Sequence, residues 1–167
     1  MGVVVTPELE AMVDAEGEPT VTEVEKSWVK HFAQSIAWPN EPNPLYSDEE
    51  YGKKSRFDGI IAPPTYCTRV GWTGSIIRQV YAIMPPPTTS LNGGGDFEMV
   101  APIRPGDVLT GRGHLAEIRQ IPRPDGGVMI TLRFAGRVDN QKGERVLNCG
   151  MTLLRLYTAD RLPQQAS

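Results

Sequence analysis

The sequence predicts an α+β domain in which an antiparallel sheet wraps a central apolar helix. Three observations predict this fold class. Apolar residues recur at helical spacing in the first part of the chain, one nearly uncharged segment follows at 65–83, and the remainder alternates apolar and polar residues. Helices that precede a run of strands favour an α+β arrangement. The length of 167 residues indicates one domain.

Composition and charge exclude several classes of protein. The net charge is −3 and the 17 basic residues are scattered, so we expect no nucleic-acid partner. No apolar stretch approaches the roughly 20 residues of a membrane helix, so we expect no membrane span. The segment Met1–Glu10 lacks the positive charge of a secretion signal, which favours a cytoplasmic location. Cys67 and Cys149 have no metal-ligand spacing, so we expect two buried thiols and no metal site.

The first helices are predicted from spacing and from breakers. We interpret residues 1–19 as a lead-in outside the core. Helical spacing then runs over 24–36 until a proline breaks it. Three prolines within 39–46 predict a stiff extended loop. A short helix is predicted to begin at Ser47–Glu50, where a hydroxyl precedes three acids.

The central helix is predicted over Thr65–Ile83. Two prolines precede it, and proline suits the first turn of a helix because its missing N–H has no partner there. The segment carries only two charged side chains and is apolar nearly all round, which indicates burial. Gly71 and Gly74 are predicted to let a neighbouring backbone approach closely. Pro85–Pro87 ends the helix.

The last third of the chain predicts strands. Alternation is seen around Phe97, and longer extended segments cover 108–118, 128–138 and 146–157. Turn-rich joints between the long segments predict an antiparallel meander. The glycines at 93–95 are predicted to let their strand pass close to the central helix.

Three segments, in order, resemble motifs of the MaoC-like, or (R)-specific enoyl-CoA hydratase, family. They are Glu41–Tyr46, Phe57–Tyr66 and Leu91–Asp107, and the FAS1-like N-terminal dehydratase branch is the most similar. The resemblance covers 20–158, which divides the chain into a lead-in at 1–19, a MaoC-like domain at 20–158 and a tail at 159–167.

The resemblance implies a hot-dog fold, in which two such folds pair side by side and bind acyl thioesters between them. It implies reversible addition of water to a trans-2-enoyl thioester. In active members an Asp and a His hold and deprotonate the water and then protonate the α-carbon. A backbone N–H at the start of the hot-dog helix binds the developing enolate oxygen. No cofactor is implied beyond the substrate, which is an acyl thioester of coenzyme A or of an acyl carrier protein.

This chain departs from the motif at its catalytic positions. Glu41 occupies the Asp position, Tyr46 occupies the His position, and the Gly that supplies the oxyanion N–H falls on or beside Pro64, which has no N–H. A phenol is a poor proton carrier near neutral pH. The predicted catalytic positions are therefore a degenerate pair, Glu41 and Tyr46. The predicted substrate-binding residues are Asn43, Ala62, Pro64, Thr65 and Tyr66.

We therefore interpret the chain as the non-catalytic, substrate-binding half of a heteromeric hydratase whose partner carries the Asp and the His. A hetero-oligomer is favoured over a homodimer. A self-sufficient hydratase using Glu41 and Tyr46 stays open. So do a hot-dog thioesterase, against which the absence of Asp and Glu from 65–83 argues, and an acyl-binding module.

Overall fold

The computed structural model describes residues 4–162, and it places helices before the sheet as predicted. Residues 1–3 of the predicted lead-in and 163–167 of the predicted tail lie outside the described residues. The α-helices are α1 (Pro7–Glu10), α2 (Lys26–Ala37), α3 (Pro44–Ser47), α4 (Glu49–Lys54) and α5 (Ile76–Ile83), and two 3₁₀ helices cover Pro64–Arg69 and Ala159–Arg161.

The sheet has five antiparallel strands in the order β1-β3-β4-β5-β2. They are β1 (Thr20–Glu23), β2 (Thr89–Met99), β3 (Val108–Pro122), β4 (Val128–Asp139) and β5 (Arg145–Tyr157). The meander of β3, β4 and β5 is confirmed, as is the α+β hot-dog fold. Strand β1 was not predicted.

The core lies on the concave face of the sheet, against the central segment. Strands β3 and β4 alternate buried and half-buried side chains, as the period-two pattern predicts. Each fully buried Leu, Ile or Phe contributes roughly 1.5–3 kcal/mol through removal of apolar surface from water. The largest fully buried side chains of β3, β4 and β5 are Leu109, Leu115, Ile130, Leu132, Phe134, Leu147 and Tyr157.

The prediction of one helix over 65–83 is wrong. A 3₁₀ helix covers Pro64–Arg69, an irregular stretch follows, and α5 begins only at Ile76. The stretch lies directly on the sheet: a Cβ on Gly111 would overlap the carbonyl oxygen of Gly71 and lie 2.7 Å from Cα of Trp72. A helix with side chains all round does not fit so close to β3, so the chain stays irregular. The predicted close backbone approach is confirmed at Gly74, where a Cβ would overlap the carbonyl oxygen of Glu18. At Gly71 the neighbour is instead a side chain, since a Cβ there would lie 2.6 Å from Cγ2 of Thr20.

The prediction for the glycines at 93–95 is also wrong. They lie on β2, where a Cβ on Gly93 would be 3.2 Å from Thr152 and one on Gly95 would be 3.4 Å from Gly150, both on β5. The register shifts between Asn92 and Gly94, so the glycines accompany a β-bulge. The glycines that approach the central segment are instead on β3 and β4.

The described part of the lead-in belongs to the core, so its interpretation as lying outside the core is wrong. Val4 and Leu9 are each only 1% exposed. The side chain of Thr6 caps α1 by accepting from the N–H of Leu9 at 3.3 Å. The N–H groups of Asp14 and Gly17 donate to carbonyls of β3 at 2.9 and 3.0 Å. The apolar residues of this segment are a short run at 3–5 followed by Leu9, Met12 and Val13, and the proline and acidic side chains among them obscured the pattern.

The remaining helices agree with their patterns except in the proline-rich loop. Helix α2 is confirmed, and α4 follows Asp48, whose carboxylate accepts from two N–H groups of the first turn at 2.9 and 3.1 Å. The stretch predicted as wholly extended contains the short helix α3, because a proline at its first position follows a capping asparagine. Within residues 4–162, no helix is long and apolar enough to cross a membrane.

The two cysteines are buried free thiols, as predicted. Burial raises the pKa of the Cys67 thiol, and it raises the pKa of Cys149 from 9.0 to about 12. Since only the thiolate reacts, a rise of that size lowers the reactive fraction of Cys149 at pH 8 by about a thousandfold. We expect iodoacetamide to alkylate Cys149 only after urea unfolds the chain. Mass spectrometry checks this, and native alkylation as fast as in urea would contradict it.

Candidate functional site

The motif loop around Asn43 is organised by local hydrogen bonds. The Asn43 Oδ1 atom accepts from the N–H of Leu45 at 3.0 Å, and the Asn43 carbonyl accepts from the N–H of Tyr46 at 3.0 Å. Asn43 is thus the N-cap of α3. Tyr46 is half-buried and Glu41 is exposed. The catalytic roles predicted for Glu41 and Tyr46 stay predictions.

The turn expected to hold the oxyanion donor has few free N–H groups. The Ala62 N–H donates to the carbonyl of Ile103 at 2.8 Å, and the Tyr66 N–H donates to Pro63 at 2.8 Å. Pro64 begins the 3₁₀ helix and has no N–H. The N–H of Thr65 is the remaining donor at this turn, and it makes no hydrogen bond within residues 4–162.

The motif loop and this turn lie together in the structure. The N–H of Ile61 donates to the carbonyl of Leu45 at 3.3 Å, which joins the two segments. Tyr66 is buried, its ring meets Phe32 edge-on at 5.3 Å between centroids, and burial raises its pKa. Ala62 is also buried, whereas Pro64 and Thr65 are exposed. The substrate-binding roles of these residues stay predictions.

A cavity of about 270 Å³ lies between α2, α4 and the loop before β3. Glu49 on its wall forms ion pairs with Lys26 and Lys30 at 3.3 and 3.2 Å. Hydrogen bonds from both lysines hold the pKa of Glu49 below its usual value. The other residues lining the cavity are Lys53, Asp58, Gly59, Ile60, Arg104 and Pro105, so it contains none of the predicted site residues.

An apolar surface that is only partly covered lies beside the core cluster, between α5 and β5. Met151 and Leu153 form its floor on β5, and both are only half-buried. Ile77 and Tyr81 form its wall, because residues four apart share one face of a helix and Tyr81 contacts β5. On the β2 side the floor continues through small or polar residues, among them Gly95 opposite Met151. We call this surface the apolar trough.

The trough has a distinct group at each end. Near the 3₁₀ helix, the rings of Trp72 and Phe97 meet edge-on at 6.3 Å between centroids. At the far end the guanidinium of Arg155 lies 4.0 Å from the centroid of the Tyr81 ring. The sequence analysis did not single out Tyr81 or Arg155. The sequence could have indicated Arg155. It lies two and four residues after Leu153 and Met151 on the same strand, so its charged side chain points to the same inward face of β5.

Strand β2 is an exposed edge. Every residue of 89–98 is exposed, including Leu91 at 49% and Phe97 at 39%. The strand pairs only with β5 among the described strands, so its other edge presents unpaired N–H and C=O groups. Long exposed edge strands with apolar side chains are sites for pairing with another chain.

Comparison with known proteins gives one family and one fold. The family model of the FAS1-like dehydratase domain region matches residues 11–149. The curated UPF0336 protein of Thermobifida fusca is 28% identical over 134 residues, which cover 77% of this chain and 80% of the relative.

Two solved structures show the shared fold. The MaoC-like dehydratase from Rhodospirillum rubrum aligns with a TM-score of 0.62 and 23% identity over 91% of this chain and 94% of that one. A chain of the ChsH1-ChsH2 complex from Mycobacterium tuberculosis aligns with a TM-score of 0.70 and 14% identity over 95% and 94%.

Proposed function

This chain belongs to the FAS1-like dehydratase domain region family, and from that membership we propose that it is the substrate-binding subunit of a heteromeric hydratase. The reaction is reversible addition of water to a trans-2-enoyl thioester of coenzyme A or of an acyl carrier protein. A second hot-dog subunit supplies the Asp and the His. No further cofactor takes part.

The observation that carries the proposal is the turn at Pro64. The reaction builds negative charge on the thioester oxygen, and a fixed N–H must meet that charge. Pro64 has no N–H, and the N–H groups of Ala62 and Tyr66 are already bonded to carbonyls. Loss of one oxyanion donor costs roughly 2.7–4 kcal/mol, or a hundredfold to a thousandfold in rate. Among the described residues of this turn, only the Thr65 N–H, one residue beyond Pro64, is left to meet the charge, so the turn is poorly equipped to run the chemistry alone.

The residues at the two acid–base positions, Glu41 and Tyr46, also support a catalytic partner subunit. Glu41 is exposed, so solvent competes for the hydrogen bonds that would hold a substrate water. Tyr46 cannot replace a histidine as a proton carrier near neutral pH. The Asn43 side chain is occupied as a helix cap, so its presence is explained without a role in catalysis.

Two surfaces of this chain suit a subunit that binds the substrate and pairs with a catalytic partner. The apolar trough can bury an acyl chain, since its floor and wall are apolar side chains that are only half covered. The exposed edge of β2 borders the trough, and a second subunit paired there would cover it. The structurally similar ChsH1-ChsH2 protein is a complex, which supports a two-subunit arrangement for this chain.

Hydration of a trans-2-enoyl-CoA, followed by loss of the enoyl absorbance, tests the proposal. We expect little turnover by the isolated chain, and at least about a hundredfold more when a dyad-bearing hot-dog subunit from the same organism is co-purified with it. High turnover by the isolated chain that is abolished in Glu41→Gln, but kept in the control Glu10→Gln, would contradict the proposal. It would instead support a self-sufficient hydratase that uses the Thr65 N–H.

A thiol-release assay and a binding measurement test the two other functions, those of a thioesterase and of an acyl-binding module. Release of free thiol from a saturated acyl-CoA would indicate a thioesterase. The described central segment offers that reaction no carboxylate, because 65–83 contains neither Asp nor Glu. Binding of the acyl-CoA with neither reaction, in the presence of the partner, would indicate an acyl-binding module.

A further inference from the structure

Arg155 is a buried cation with no anion beside it. Its side chain faces inward from β5, and the residue is 5% exposed. No carboxylate within residues 4–162 forms an ion pair with it. Its Nη2 atom reaches the carbonyl of Pro85 only at 3.4 Å, and its Nε atom is enclosed without a hydrogen-bond partner. Buried guanidinium groups are normally paired with an anion.

The neighbouring groups do not balance the charge. Tyr81 covers one face of the guanidinium with its ring, and the Tyr157 hydroxyl donates its own hydrogen to Pro85 at 2.8 Å. Burial raises the pKa of Tyr157 and a hydrogen bond from Arg155 opposes that rise, so the tyrosine stays neutral. A helix-capping role at the end of α5 would predict short bonds to carbonyls, whereas the one observed is long and Nε is left over.

The position of Arg155 connects it with the apolar trough. Arg155 lies two residues beyond the trough floor at Leu153, on the same face of β5. Met151, at the other end of the floor, pairs with Gly95 and lies four residues before Arg155. At about 3.3 Å per residue, the trough extends roughly 13 Å from Met151 to Arg155. A cation thus closes the end of an apolar surface that starts near the 3₁₀ helix.

We propose that Arg155 binds a carboxylate at the distal end of the acyl group. The substrate class is then the mono-thioester of a long dicarboxylic acid, with the methylene chain in the trough. A guanidinium fork favours a planar carboxylate over a hydroxyl, because both oxygens accept from it. This inference rests on the proposed function, since it takes an acyl thioester as the ligand.

Calorimetric binding of two coenzyme A thioesters to the full chain tests the inference. The probes are dodecanoyl-CoA and the mono-CoA thioester of dodecanedioic acid, which differ only at the distal end. We expect the diacid thioester to bind at least about tenfold more tightly, as a charge-assisted pair implies. Arg155→Gln should abolish the difference, while Arg161→Gln, at an exposed arginine, should preserve it.

The outcomes are separable from those of the hydratase assay. Equal affinity of the two thioesters for the native chain overturns the inference, whether or not Arg155→Gln folds, and leaves Arg155 as a cap of α5. Equal affinity together with loss of partner assembly in Arg155→Lys assigns the arginine to a carboxylate of the partner, which also overturns it. A tenfold preference in a chain that shows no hydration with any partner refutes the proposed reaction alone.

Discussion

Replacing Gly111 with alanine is expected to lower the free energy of unfolding by at least about 3 kcal/mol, at the upper end of the cost of overpacking. The added Cβ would overlap the carbonyl oxygen of Gly71 and lie 2.7 Å from Cα of Trp72. Both obstacles are backbone atoms, so no change of rotamer relieves them. Urea denaturation measures the loss, and the midpoint should fall with little change in slope.

The matched control for this variant is Gly95→Ala. Gly95 is also a strand glycine, but a Cβ there meets its nearest neighbour, the Gly150 carbonyl oxygen, at 3.4 Å, which is ordinary contact. We expect its stability to change by less than about 0.5 kcal/mol. Similar losses in both variants would mean that strand glycines are costly to replace for a general reason, and would contradict the packing argument.

Leu9→Ala is expected to destabilise the domain by about 2–5 kcal/mol, the usual range for a buried leucine. Leu9 is 1% exposed and belongs to the core cluster, although it lies in a four-residue helix near the start of the chain. The loss has two physical parts, the lost burial of apolar surface and the cavity left behind. Thermal unfolding should show a decrease in Tm of several degrees or more.

Glu10→Ala is the control, because Glu10 is exposed on the same short helix. Its effect should stay within about 0.5 kcal/mol, which separates the buried contact from any effect on helix formation. An unchanged Tm in Leu9→Ala would show that the burial of Leu9 adds no stability, which would contradict this prediction.

Much of the fold could be predicted because local chemistry determines it. Strands β3, β4 and β5 follow from alternation over many residues and from turns rich in Gly, Pro and Asn. Helix α4 follows from acids at its start, which suit the helix dipole, although Asp48 caps it and not the predicted Ser47. Strand β1 could not be predicted in the same way, since its four residues alternate exposed and half-buried and pair with a distant strand.

The candidate site was predicted in part. The motif segments drew attention to the loop at Asn43 and to the turn at Pro64, and the structure joins them through one backbone hydrogen bond. The apolar trough was missed, since its floor on β5 and its wall on α5 are separated by about 70 positions in the chain. Arg155 was missed for a related reason: its parity is visible in the sequence, but the lack of a partner anion is not.

The sequence by itself determined the order of the elements, the parity of the long strands and the proline that removes an N–H from the expected oxyanion turn. These properties depend on residue type and short spacing alone. Only the tertiary structure decided that the central helix is interrupted after Arg69, that Leu9 enters the core and that a guanidinium ends the trough without an anion. Each of these depends on which distant backbone or side chain lies opposite, and no local pattern encodes that.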